Sequence, residues 1–284
     1  MARKFLRRTS AALALGLLAL TGPATSQDGP PAAKPPLLLM GTIPIYWGEA
    51  GELTDLLNGG ATPHWARALL EQRFSLVPID TLSPDTLPAS GGVLLLAQPR
   101  TLSAPENVAL DTWVRRGGHV LLFADPLMTG ESRFSIGDRR RPQDVALLSP
   151  LLNHWGLDLQ LAEGQQPGLR FVAGETGAVP VNLAGVIGAT EGSGCMVSHA
   201  GLVATCRLEA GLAVVVADAA LLDIEGPWQG AAESLDSLLS TVSGSRGEAV
   251  HSARPGIGDT SNFNNLTESA AQAPDRGGGP APPS

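Results

Sequence analysis

Lysine is close to absent from this 284-residue chain: Lys4 and Lys34 are the only two. Basic residues of both kinds number 19 against 27 acids, a formal net charge of −8. A surface of that sign repels phosphate backbones and anionic lipid, which sets nucleic acid aside as a partner. Cysteine is equally scarce, with Cys195 and Cys206 alone. Neither Cys-x-x-Cys nor His-x-x-x-His occurs, so a metal site has no local support. A phosphate-binding P-loop is missing as well, so the chain is not the ATPase of a transporter, and no glycine-rich dinucleotide fingerprint follows a strand. No cofactor is implied. The apolar run Ala11–Leu20 holds about 10 residues, half of what a membrane-spanning helix needs, and no transmembrane segment is expected in the mature chain.

That run has a different use. Arg3, Lys4, Arg7 and Arg8 precede it, Gly22-Pro23 breaks it, and Ala24-Thr25-Ser26 supplies small residues where a signal peptidase reads. Residues 1–26 are therefore expected to be a cleaved signal peptide, and the protein is expected to be exported to the periplasm. They carry four of the basic residues and no acid, leaving 15 basic against 27 acidic residues and a net charge of −12. Residues 27–36 read as a Pro-rich linker. Residues 244–284 have little apolar content, finish in Arg-Gly-Gly-Gly-Pro-Ala-Pro-Pro-Ser, and read as a disordered tail. One domain, 37–243, lies between.

Within it, short apolar runs alternate with amphipathic stretches, the grammar of a mainly parallel sheet flanked by helices. Residues 37–41, 74–79, 93–97, 119–124 and 212–217 read as strands. Thr62-Pro63 opens a helix whose inner face carries Trp65 and Leu69, and Ser103–Glu106 is a capping box for a helix with the stripe Leu110, Trp113 and Val114. Gly117-Gly118 ends that helix. A long loop bearing Arg139-Arg140-Arg141-Pro142 leads to a helix near 147–155, and 231–242 closes the domain. Residues 157–208 read as short strands forming an antiparallel extension of the sheet. The midpoint of Cys195–Cys206 falls between Ala200 and Gly201, so a hairpin turning there faces Val197 with Ala204 and Cys195 with Cys206. In an oxidising compartment that pair is expected to be a disulfide.

The order of segments resembles the extracytoplasmic domain of GldG-like proteins, of an uncharacterised ABC-type transport system. The likeness rests on Leu94–Glu106, Leu110–Pro126, Leu148–Leu157 and Ala213–Asp223, spread over roughly residues 37–225. The resemblance implies a flavodoxin-like, class I glutamine amidotransferase-like fold without its catalytic apparatus. It also implies an accessory role with an ABC permease or another envelope protein as partner. Many relatives continue into a membrane helix, where this chain has its polar tail.

An amidotransferase or related hydrolase needs a Cys or Ser nucleophile on a sharp strand-to-helix turn. The strand ends here read Ala97-Gln98-Pro99 and Ala124-Asp125-Pro126, with no nucleophile at either. His64, His119 and His154 lie in or beside regular elements, where a structural histidine is the usual finding. Ligands of open parallel sheets bind beyond the strands' carboxyl ends. There Tyr46, Trp47, Glu49, Gln98, Arg100 and Asp125 form the candidate ligand-binding set, with Asp218 after the late strand. Against this stands the plainer reading that Asp125 and Asp218 cap the segments after them and that Trp47 fills the core. The leading expectation is a non-catalytic accessory domain. The alternatives are a periplasmic hydrolase of sugar or peptide using Glu49 or Asp125, and a stand-alone envelope interaction module.

Overall fold

The computed structural model of the chain describes residues 33–49, 63–174, 177–223 and 225–244. The expected signal peptide, residues 27–32 of the linker and the tail beyond 244 lie outside the described residues. The apolar runs become the strands of one seven-stranded sheet. Its parallel members are β1 (Pro36–Gly41), β2 (Ser75–Pro78), β3 (Val93–Ala97), β4 (His119–Phe123) and β11 (Gly211–Val216). The order is β2-β1-β3-β4-β11-β10-β9, with β9 (Cys195–Ser198) and β10 (Val203–Leu208) antiparallel at one edge. Register runs level through the middle: Leu37 faces Val93, Val93 faces His119, and His119 faces Leu212. The parallel strands thus follow the flavodoxin-like sequence 2-1-3-4-5. The interiors of β1, β3, β4 and β11 are buried and almost wholly apolar because both faces are covered, whereas β2 is an exposed edge strand.

The covers follow from crossover handedness. The β1-to-β2 and β3-to-β4 connections run in opposite directions across the sheet, so right-handed crossovers put them on opposite faces. On one face α1 (Trp65–Arg73) meets α4 (Ala231–Ser243), and Arg73 Nη1 donates to Asp236 Oδ1 at 2.5 Å. On the other, α2 (Ala104–Arg115) packs beside the six-residue α3 (Ser149–His154). The capping box forms as the sequence predicts: Glu106 N donates to Ser103 Oγ, and Glu106 Oε2 accepts the Ser103 N–H at 2.9 Å. Leu110, Trp113 and Val114 are its buried stripe, and Gly117 ends the helix with φ 102°.

Two expectations shift. The first described turn of α1 begins at Trp65, with His64 as N-cap: its Nδ1 accepts the Ala66 N–H at 3.1 Å, while Nε2 bonds Leu222 O at 2.9 Å. Thr62 lies outside the described residues. The buried positions are consequently Ala66 and Leu70, with Trp65 and Leu69 only partly buried beside them. Second, the region 157–208 does not simply extend the sheet. β5 (Leu157–Leu161) pairs with β8 (Gly185–Ala189), and β6 (Arg170–Gly174) with β7 (Gly177–Val181), as two separate two-stranded sheets. Among the described residues of this region only β9 and β10 join the main sheet, in the register read from the sequence, with Cys195 facing Cys206 and Val197 facing Ala204. The two cysteines form a disulfide with a Cα–Cα distance of 3.9 Å.

Candidate functional site at the strand ends

In this strand order the chain reverses direction between β1 and β3, and the crevice beyond their carboxyl ends is where ligands of such sheets sit. Here the two ends are stitched together. Thr42 N donates to Ala97 O and Gln98 O, both at 3.1 Å, and Thr42 Oγ1 donates to Gln98 O at 2.5 Å. Thr42 Oγ1 in turn accepts the Gln143 N–H at 2.8 Å. The approach is so close that a Cβ on Gly41 would lie 2.1 Å from Ala97 O.

Gln98 completes the closure. It is fully buried, and its backbone is left-handed, with φ 48°. A strained residue directly after a strand is also how a nucleophile elbow presents its side chain. Here the side chain is a carboxamide and is fully engaged. Oε1 accepts the Asp125 N–H at 2.8 Å, while Nε2 donates to Asp125 O at 3.0 Å and to Gln143 O at 2.9 Å. Its partners tie the ends of β1, β3 and β4 to the loop of residues 124–148.

Next to it lies a group of buried acids. Asp125 Oδ1 accepts the Leu127 N–H at 2.8 Å, and Oδ2 accepts the Ala219 N–H at 3.1 Å, spanning the ends of β4 and β11. Asp218 accepts Ala220 N at 2.6 Å and Asn182 N at 2.9 Å. Asp223 accepts from Trp228 Nε1 at 3.3 Å through Oδ2, while its Oδ1 is buried without a partner. Burial lifts the Asp125 carboxyl to about 6, with the Asp223 charge adding to the effect. Asp223 is raised to about 6, again by burial first. Asp218 is pushed well above the ordinary range by burial and then by the Asp125 charge. Low dielectric disfavours each anion more than its hydrogen-bond donors, main-chain N–H groups for Asp125 and Asp218 and the Trp228 indole for Asp223, stabilise it. Among the described residues no three His, Cys, Asp or Glu side chains are placed to hold a metal ion.

The remaining members of the sequence-derived set go elsewhere, and Tyr46 lines a hollow with Lys34, Glu71 and Ser75, beside the amino ends of β1 and β2. Tyr46 is half-buried, with the Arg67 guanidinium 4.5 Å from its ring centre, and meets Trp47 edge-on at 4.7 Å. Trp47 itself is 63% exposed and so does not fill the core. Glu49 accepts from Ser132 Oγ at 2.6 Å and from Arg133 N at 3.3 Å, clasping the β1 loop to the long loop. Arg100 turns away to the capping box, donating to Glu106 Oε1 at 2.7 Å and Oε2 at 3.0 Å. That guanidinium is the main reason the Glu106 carboxyl is lowered to about 2. Gln98 and Asp125 are thus brought into contact, Tyr46 and Trp47 form a pair, and Arg100 stands apart. Sequence reasoning missed Thr42, Gln143 and Asp223. Asp223 lies in the segment carrying the family likeness, whereas Gln143 is delivered by a long loop and has no local signature.

No curated protein sequence matches the chain. Among solved structures, the exo-β-1,4-mannosidase Op5Man5 from Opitutaceae bacterium strain TAV5 aligns with TM-score 0.42 and 15% identity over 75% of this chain. This chain spans 36% of that protein's length. The mmIFT52 N-terminal domain aligns with TM-score 0.45 and 11% identity, over 73% of this chain and 96% of that domain. A ThuA-like protein from Parabacteroides merdae gives TM-score 0.34 and 10% identity, over 77% of this chain and 93% of that one. In the family comparison, residues 50–166, a stretch that takes in α1 through β5, match the family described as an ABC-type uncharacterized transport system, the family to which the sequence resemblance points.

Proposed function

We propose that this chain is a non-catalytic periplasmic accessory component of an ABC-type transport system, which docks an ABC permease or other envelope protein on the carboxyl-end rim of its sheet. The observation that carries this reading is the filled switch point. Where a doubly wound sheet would admit a ligand, Gln98, Thr42 and Gln143 satisfy one another. His64, which bonds the carbonyl of the residue before Asp223, has both ring nitrogens engaged by main chain.

The rim above offers contact surface instead. Trp47 is largely exposed and Ile136 is 85% exposed. The Glu49–Ser132 bond holds their two loops together. Exposed aromatic and aliphatic anchors beside Arg139 and Arg140 have the composition that dominates binding energy at protein interfaces. The test is an in-cell crosslink of the tagged protein in its native envelope, with identification of what co-purifies. An ABC permease or its ATPase is expected with the wild type and is lost in Trp47→Ala/Ile136→Asp at unchanged thermal stability. Recovery of no membrane protein removes the transporter and leaves a stand-alone envelope module. Osmotic-shock release reads the periplasmic location separately.

The hydrolase reading draws on Asp125 and Asp223, whose carboxyls are raised to about 6 and so suit proton transfer near neutrality. Against it, the oxygens of Asp125 and Asp218 already accept main-chain N–H groups. Turnover of a sugar or peptide substrate that disappears in Asp223→Asn would establish the hydrolase instead.

A further inference from the structure

The outer side of α2 lacks the charge that a solvent-facing helix surface usually carries. Ala104, Val108 and Thr112 follow one another there at four-residue steps, and Val108 is 66% exposed. Beside this surface runs the β2–β3 connection, residues 79–92, which contains no helix although parallel strands are usually joined through one. Leu82 N donates to Glu106 Oε1 at the first turn of α2. Pro88 and Trp113 both lie within 4 Å of where a Cβ on Gly92 would stand, at the last turn. The connection therefore lies alongside the whole helix, about 18 Å at 1.5 Å per residue.

Between the two is a groove of about 690 Å³, lined by Leu87, Pro88, Val108, Ala109 and Trp113 among others. On the far side of Val108, between α2 and α3, lies a hollow of about 240 Å³ lined by Pro150 and Leu151 together with Asn107, Asp111 and His154. Val108 lines both, so it stands as a knob between two hollows. The ends carry opposite charge. Arg116 lines the groove at the C-terminal end of α2, and exposed Asp85 follows Pro84, another lining residue, toward the N-terminal end.

We propose that this face is the interface of a two-fold homodimer in which α2 packs antiparallel against α2 of a second copy. An isologous contact needs knob and hollow on the same patch, and this patch has both. Antiparallel pairing seats each Val108 in the other copy's hollow. It also brings Arg116 of each copy to the other's Asp85, so the apolar contact is bounded at both ends by opposite charges. A parallel pairing would set like charge on like. Ala104 and Ala109 allow the helix axes to approach closely.

The test is sedimentation equilibrium of the full chain. The wild type is expected to dimerise, and Val108→Arg to shift it to monomer with an unchanged circular-dichroism spectrum. Arg116→Asp and Asp85→Arg should each weaken the dimer about 10-fold or more, and their combination should restore it, since the swapped charges meet again across the two-fold. Val108→Cys should yield an intermolecular disulfide. A wild type that stays monomeric at all concentrations overturns the proposal. So does a dimer indifferent to Val108→Arg, or a double charge reversal no better than either single one.

Discussion

Gln98 combines a left-handed backbone with a fully spent side chain. A non-glycine residue with φ 48° is retained only where its surroundings over-determine it. Here the surroundings are three carboxamide hydrogen bonds and a carbonyl that accepts twice from Thr42. Gln98→Ala would leave the Asp125 N–H and the Asp125 and Gln143 carbonyls short of a partner in a buried place. It should cost about 2–4 kcal/mol of stability in urea unfolding. Gln98→Glu should cost at least as much, because a carboxylate oxygen would face two carbonyls. The sequence marks Gln98, Asp125 and Arg100 as strand-end polar residues, but not where they point. Gln98 turns inward because Thr42 and Gln143, remote in sequence, take its main-chain oxygen and amide group. Arg100 is claimed by Glu106, already positioned by the capping box.

Elements with strong local signals were legible, and those depending on distant partners were not. Continuous apolar runs specify β1, β3, β4 and β11 because both faces are buried, and Ser103–Glu106 specifies the start of α2 through its own reciprocal bonds. The β5 to β8 region differs. Leu157 pairs with Ala189 across an intervening hairpin, and several of these strands are half-exposed, so no local pattern tells a separate pair from a sheet extension. At α1, one residue of offset in the buried stripe accompanies a histidine cap that also reaches Leu222. The β9–β10 hairpin was legible because its midpoint fixes its register. Its disulfide joins the edge strand to β10 around ten intervening residues. Replacing both cysteines with alanine should cost about 2–3 kcal/mol by the loop-closure estimate. Amide exchange should show β9 losing protection before the parallel strands.

At the scale of the molecule, an acid paired with a guanidinium and acids buried without a cation make stability depend on pH in two opposed ways. Glu106 has its carboxyl lowered to about 2 from an ordinary 4.5, so its contribution is present above 4.5 and is lost as pH falls toward 2. Asp125 and Asp223 are raised from 3.8 to about 6, so their contribution is complete below 3.8 and is lost as pH rises toward 6. Asp218 acts in the same sense. Asp125 and Asp223 each withdraw on the order of 2 kcal/mol across that interval. The thermal midpoint followed by circular dichroism at fixed ionic strength should therefore peak near pH 4 to 5, about the middle of the acid range, and decline toward neutrality. Asp223→Asn keeps an acceptor for Trp228 Nε1 without the charge. It should raise the midpoint at neutral pH and flatten the decline.

The approach of Gly41 to Ala97 decides whether the crevice can close. With a Cβ at that place directed onto a neighbouring carbonyl, any side chain larger than hydrogen forces the ends of β1 and β3 apart. That separation is the mouth of the crevice. The residue closing the first strand is therefore the catch of this seam: glycine there is what permits the mouth to be sewn shut.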